Sequence, residues 1–259
     1  MVRGLDIWKK YFADYADHYV LIGGAACHWY EEEYAQNPRA TKDLDLILIV
    51  EALSPEFGMH FWDFIKEGRY SSRQRGEEKH EYFRFMNPED KSFPQQIELF
   101  SRKIGGLSIP EDARLEPIHV EDGVSSLSAI LMDDTYYNYT IEHSTIVEGM
   151  HLANEEALIC LKAKAYLDLK NRKAKGEDID SDKIEKHKKD VIRLAALIPG
   201  ESRFELPEVL QKDVADFCEV ATSNLPNQDF MKSIGLPSMK ASDIIESLKR
   251  YMNISFIIA

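Results

Sequence analysis

"YVLIGGAACHWYEEEYAQNPRATKDLDLILIV", residues 19–50, sets four apolar residues against a glycine pair and closes on two aspartates inside a second apolar run. "HYVLI" reads as a buried strand that stops at Gly23–Gly24. "AACHWYEEEYAQ" reads as a helix that ends near Asn37–Pro38, because a residue before proline disfavours the helical region. "DLDLILIV" is the next strand. Ahead of them, "LDIWKKYFADYAD" spaces Ile7, Trp8, Tyr11, Phe12 and Tyr15 as an opening amphipathic helix. Helix, strand, turn, helix, strand makes an α/β unit.

The aspartates need an explanation. Residues i and i+2 of a strand share a face, so Asp43 and Asp45 project together while Leu44, Leu46 and Leu48 take the other side. Side-by-side carboxylates repel, and a divalent cation removes the conflict; hard oxygen ligands suit Mg2+ or Mn2+. The plainer alternative is an edge strand whose acids face water. Gly23–Gly24, directly after a strand and before a helix, lets the backbone approach a phosphate closely at a helix N-terminus.

Working outward, a helix is expected near Glu56–Glu67, followed by the polar "RYSSRQRGEEKH". "EYFRFM" and "QQIELFSRK" flank the turn-rich "NPEDKSFP" as a hairpin with a longer loop. In the second arm Gln96, Glu98 and Phe100 share a face, and Glu98 would complete a set of three acids able to hold two metal ions. Beyond "GGLSIPEDARLEP" the pattern changes. "VSSLSAILMDDTYYNYTIEHSTIVEGMHLAN" reads as a short helix with two strands, and from Asn154 the chain is mainly helical. The expected fold class is α+β: an N-terminal mixed sheet with helices over residues 1–120, then a mainly helical domain over 121–259.

At 259 residues the chain is long enough for a substantial core, and 44% hydrophobic content argues for a globular protein. A formal charge of −13 argues against a generally basic surface that coats nucleic acid, though not against a local basic groove. The N-terminus lacks the apolar core of a secretory signal, and no apolar run approaches the roughly 20 residues that span a bilayer. The closing "ISFIIA" is expected to dock as a short strand or tail. Cys27, Cys160 and Cys218 are widely spaced, odd in number and without metal-ligand spacing, which points to reduced thiols and a cytoplasmic protein.

In "EEALICLKAKAYLDLK" helical geometry sets Lys162 on a face with Leu158, Ile159, Ala165, Tyr166 and Leu169, while Lys164 points nearly the opposite way. A lysine centred on an apolar face must snorkel out or meet a partner. Residues 162–193 hold 11 Lys and Arg against 7 Asp and Glu, a net +4 in a chain whose remainder is −17. Asp190 lies at the edge of the apolar stripe that follows, with His187 one turn earlier.

"LIGGAA…RATKDLDLIL…QIELF" resembles the nucleotidyltransferase superfamily of DNA polymerase beta, in which a G-[GS] turn precedes a D-x-[DE] pair and a third acid follows on a later strand. The gap of 18 residues between Gly24 and Asp43 is longer than in the minimal enzymes of that superfamily. Taken with "EEALICLKAKAYLDLKNRKAKGEDIDSDKIEKHKKDVIRL", the chain resembles the AbiEii/AbiGii-type nucleotidyltransferases, toxin components of toxin–antitoxin systems. In that family a helical domain supplies a lysine and a downstream basic-Asp element; Lys162 and Asp190 match, with Lys164 the alternative lysine and Arg193 a departure from the family's last aspartate.

The resemblance implies a Mg2+- or Mn2+-dependent enzyme that moves a nucleoside monophosphate from an NTP to a hydroxyl of tRNA, other RNA or protein. Asp43, Asp45 and Glu98 would be metal ligands. Gly23, Gly24, Arg39, Thr41, Lys42 and Lys162 would receive the nucleotide, with Asp190 beside Lys162 in the catalytic set. An antitoxin partner would be expected, and no membrane. Two other readings stay open: a small-molecule modifier of the antibiotic nucleotidyltransferase type, and a nucleotide-binding module without turnover.

Overall fold

The four residues Tyr19–Ile22 are apolar without alternation, a composition suited to a strand covered on both faces. They form β1, every side chain buried, in a computed structural model that describes residues 2–34, 36–74, 80–102, 115–118 and 127–253. Ahead of it, α1 (Leu5–Tyr11) gives way at Phe12 to a 3-10 segment over Ala13–His18, so the opening helix is shorter than the spacing of Ile7 to Tyr15 predicts. Phe12, at φ −106° and ψ 19°, leaves the α conformation. After β1, α2 (Gly23–Glu33) begins on the first glycine and ends before Asn37–Pro38. The Gln36 N–H reaches back five residues to the Glu31 carbonyl at 2.8 Å, a bond that closes the helix early.

The chain continues through β2 (Asp43–Leu48), α3 (Pro55–Glu67), β3 (Ser71–Gln74), β4 (His80–Met86) and β5 (Gln96–Ser101). Ser54 caps α3 by accepting from the Phe57 N–H, and Pro55 takes the first turn, where no intrahelical N–H bond is lost. Then come β6 (Leu115–Ile118), β7 (Leu127–Leu131), α4 (Asp134–Glu142), β8 (Ser144–Val147) and β9 (Met150–Ala153). The expected hairpin is present as β4 antiparallel to β5. The stretch from residue 124 to 154 contains one strand more than its pattern suggested, because β8 and β9 form a hairpin after β7.

These strands form one mixed sheet, nine strands among the described residues, ordered β3-β4-β5-β2-β1-β9-β8 with β7 joined to β5 and β6 to β7. β1 is antiparallel to β2, whereas β2 with β5 and β1 with β9 are parallel. Against the sheet's segments lies an aromatic cluster drawn from α1 and α3. Trp8, fully buried, stacks on Phe12 at 3.9 Å between ring centroids and meets Phe64 edge-on at 5.4 Å.

From Asn154 the described chain is helical: α5 (Glu155–Ala174), α6 (Ser181–Ala195), α7 (Glu208–Thr222), α8 (Gln228–Ser233) and α9 (Ala241–Tyr251). The Asn154 side chain caps α5 at the Ala157 N–H, 3.0 Å. Leu210, Val214, Phe217, Cys218 and Ala221 form the buried stripe of α7, and Ile244, Ile245 and Leu248 that of α9. α5 packs on α6 and α7, and α9 packs on those same two helices.

The protein is therefore α+β, with a mixed sheet and helices first and a helical region from α5 to α9. By packing it divides into a sheet unit, Met1–His28 with Ala40–Ala153, and a helical unit, Trp29–Arg39 with Asn154–Ala259. The boundary expected near residue 120 and the closing "ISFIIA" lie outside the described residues. Among the described residues no helix is long and apolar enough to cross a membrane. The three cysteines are free thiols, each buried: Cys27 in α2, Cys160 in α5 and Cys218 in α7.

Removing the Trp8 indole should cost about 3–5 kcal/mol, the range for a large aromatic deleted from a core. Urea unfolding of Trp8→Ala measures it, and a loss below about 1 kcal/mol would mean the cluster is not part of the folded core.

Candidate functional site

The alternation of β2 decides where its acids go. Leu44 and Leu46 are fully buried, and Asp43 and Asp45 are half-buried on the opposite face. Parallel pairing with β5 then sets Asp43 opposite Gln96 and Asp45 opposite Glu98. In β5 the fully buried Ile97 and Leu99 alternate with half-buried Gln96 and Glu98. Asp43, Asp45 and Glu98 thus share one face of two adjacent strands, as their spacing predicts.

On its other edge β2 pairs with β1, where Ile22 is the partner of Asp45. The next residue, Gly23, has φ +69°, and a Cβ there would overlap the Asp45 carboxylate. Glycine is required on both counts, for the left-handed backbone and for the close approach. The Asp45 carboxylate accordingly rests against the first residue of α2, at the positive end of the helix dipole. Gly24 continues that first turn, buried.

Glu98 has a different counter-charge. Arg84 lies opposite it across the antiparallel β4–β5 pair, and its guanidinium binds the Glu98 carboxylate through two nitrogens, Nε donating to Oε1 at 3.0 Å. The sequence offered a partial signal for this pairing: in "EYFRFM" a strand sets Arg84 on the face opposite Phe83 and Phe85. Its register against Glu98 was not readable across the Asn87–Gln95 loop. Thr41 is buried and Lys42 exposed, and the Lys42 carbonyl accepts from the Gln95 N–H at 2.8 Å, tying the two approaches to β2 and β5 together.

The oxygen donors on this face match a hard divalent cation in chemistry. They are not a preformed cage: among the described residues no three His, Cys, Asp or Glu side chains converge to hold a metal. Asp43 and Asp45 would hold such an ion, while Glu98 is engaged by Arg84.

Within the helical unit, Lys162 finds its counter-ion. Its Nζ lies 3.1 Å from Asp190 Oδ2, and Arg39 Nε lies 3.4 Å from Asp190 Oδ1, with the Asp190 side chain 1% exposed. Burial alone would raise the Asp190 carboxyl, but the Lys162 ammonium and the Arg39 guanidinium more than offset it, and the net shift is downward. His187 beside them is pushed down to about 4, first by burial and then by Lys162, so its ring is neutral near pH 7. Lys164 faces elsewhere and pairs with Asp213 at 3.2 Å. Of the two candidate lysines, Lys162 is the one joined to Asp190.

A second buried carboxylate, Glu31, organises the same unit and was not singled out by its sequence. Its side chain is 1% exposed. It accepts from the Arg39 backbone N–H at 2.9 Å and from Arg193 Nη1 at 3.4 Å, and Arg193 also donates to the Asn37 carbonyl at 2.8 Å. Burial raises the Glu31 carboxyl, and these donors and the Arg193 charge oppose that rise only in part. Arg193, the departure from the resembled pattern, thus serves as the partner of Glu31. No family model, no curated protein and no solved structure matches the chain.

Gly23→Ala should destabilise the protein by roughly 1–3 kcal/mol, the scale of a strained backbone position. Chemical denaturation checks it, and an unchanged midpoint would mean that Asp45 readily vacates the glycine. Lys162→Ala leaves Asp190 buried beside Arg39 alone and should cost about 3–5 kcal/mol, whereas Lys162→Met with Asp190→Leu should recover most of that loss. Equal stability of Lys162→Ala and wild type would argue that the pair is hydrated rather than buried.

Proposed function

We propose that the protein is a metal-dependent nucleotidyltransferase whose reacting groups assemble on the carboxylate face of β2 and β5. The observation that carries this reading is the combination of Asp45 against Gly23 and Asp45 in register with Glu98. The glycine turn at a helix N-terminus and the acidic face are parts of one local structure, which supports reading the turn as the seat of a phosphate. In the reaction an acceptor hydroxyl oxygen bonds to the α-phosphorus of an NTP, the bond to the β-phosphate oxygen breaks, pyrophosphate leaves, and the hydroxyl proton passes to a carboxylate or to water.

A divalent cation, when bound, offsets the negative charge that gathers on the phosphates. The protein's own contribution is positional. Asp43 and Asp45 would hold the ion, Glu98 would extend the acidic face beside them, and the Gly23–Gly24 backbone would receive the phosphates at the start of α2. The acceptor class, a hydroxyl of tRNA, other RNA or protein, rests on the resemblance alone, as does any toxin role with an antitoxin partner.

One observation favours a second reading. Arg84 already neutralises Glu98, which suits a nucleotide-binding module that does not turn over. The two readings part in a label-transfer assay with Mg2+, each α-labelled NTP, and total tRNA or cell-extract protein as acceptor. Transfer to one acceptor is expected, reduced at least about 100-fold in Asp43→Asn and Asp45→Asn with thermal midpoints unchanged. NTP binding without transfer by the wild type would favour the binding module. Transfer that survives both substitutions would remove the carboxylate face from the chemistry.

A further inference from the structure

The second half of α5 and the first turns of α6 border a cavity of about 240 Å³. Tyr166, Lys170 and Lys173 line it from α5, and Ser181 from α6; neither Lys162 nor Asp190 takes part. Lysines near the end of a helix are commonplace, since the carbonyl end of the dipole favours positive charge. These two are set apart by what they lack. Among the described residues neither has a carboxylate partner: Lys170 Nζ lies 5.7 Å from the centroid of the Tyr166 ring, and Lys173 donates to the Ser181 hydroxyl. Lys164, Lys212 and Lys249 of the same unit each meet an acid.

Glu185 is the one carboxylate among the described lining residues, and it is already claimed. Lys188, its side chain 1% exposed, holds Glu185 Oε1 at 3.0 Å and Oε2 at 2.7 Å. With Lys188 counted, three ammonium groups stand against one carboxylate. Outside the lining, Glu177 is held by Arg172 at 2.6 Å.

Tyr166 supplies the second observation. Its side chain is 3% exposed, and its hydroxyl has no hydrogen-bond partner among the described residues, although it is not sealed from solvent. A buried phenol usually finds a partner. Phe217 meets the ring edge-on at 5.3 Å and fixes it. Burial, and after it the Glu185 charge, raises the hydroxyl above its ordinary value, so it stays protonated and able to donate. The Ser181 hydroxyl accepts from Lys173 and keeps its own proton to give. Ser181 is also the first residue of the fifteen-residue α6, at the positive end of its dipole. Two ammonium groups and two hydroxyls therefore line one cavity as donors, while the acceptor beside them is occupied. An oxyanion answers that set, and a metal cation does not. Phosphate, with several equivalent oxygens, uses more of these donors than a carboxylate can. The volume lies below the roughly 300–1,000 Å³ of drug-sized ligands, which limits what the phosphate carries.

We infer that this cavity binds a phosphate group, as inorganic phosphate or a small phosphate monoester, through Lys170, Lys173, Ser181 and Tyr166. The site belongs to the helical unit by itself and needs neither a divalent cation nor the acids of β2 and β5.

Equilibrium dialysis of the full chain in excess EDTA, against labelled orthophosphate and against labelled glycerol 3-phosphate, tests it. At least one probe should bind saturably. Tyr166→Phe removes a single hydroxyl and Lys173→Met a single charge; each should raise Kd about tenfold or more with unchanged thermal midpoints. A diffuse attraction to surface lysines would leave Tyr166→Phe at the wild-type value and overturn the site. Asp45→Asn should bind as the wild type does, which keeps this result separate from the fate of the transferase reading. Tighter binding of glycerol 3-phosphate assigns a monoester, and tighter binding of orthophosphate assigns the free ion. No saturable binding of either probe overturns the inference, as does loss confined to Asp45→Asn.

Discussion

Strand β2 must bury leucines on one face and carry acids on the other, and the sheet unit is arranged around that constraint. A slip of one residue against β1 or β5 would turn Asp43 and Asp45 toward the core and Leu44 and Leu46 outward. The register is therefore enforced by the cost of misplacing four side chains at once. Neighbouring positions inherit it: Glu98 must stand beside Asp45, Arg84 beside Glu98, and position 23 must lack a side chain. Local chemistry on this face follows from hydrophobic burial on the other.

Glu98 in the sheet unit and Asp190 and Glu31 in the helical unit are stabilised by the same means, cations fixed beside them rather than solvent. Arg84 faces Glu98, Lys162 and Arg39 flank Asp190, and Arg193 meets Glu31. Such pairs add little net stability relative to apolar residues of equal volume, yet removing one partner is expensive. Their effect is to make most wrong arrangements costly. In the helical unit this links the segment Asn37–Arg39 to α6 by three hydrogen bonds, two at Glu31 and one from Arg193 directly to the Asn37 carbonyl, that an apolar contact could not direct as narrowly.

Much of this arrangement is legible in the residues themselves. The period of two in "DLDLILIV" and "QIELF" identifies both strands and the face of each acid, because leucine and isoleucine leave no other register. The apolar surroundings of Lys162 mark it as a lysine in need of a partner, and the partner proves to be the aspartate already singled out downstream. Pairings set by distant segments are not legible. Arg84 reaches Glu98 through a hairpin whose loop length does not dictate register. Glu31 looks like one of three solvated glutamates on a helix. The early end of α2 likewise depends on a bond from Gln36 back to Glu31.

The three buried thiols have a use that their inertness creates. Burial raises the Cys160 and Cys218 thiols, so in the folded protein they are both shielded and protonated. An alkylating reagent can reach them only when their surroundings open, and its rate then reads the free energy of that opening. Cys27 belongs to the sheet unit, and Cys160 and Cys218 to the helical unit. The chain thus carries native reporters in each half, through which the breathing of one can be timed separately from the other without introducing a label.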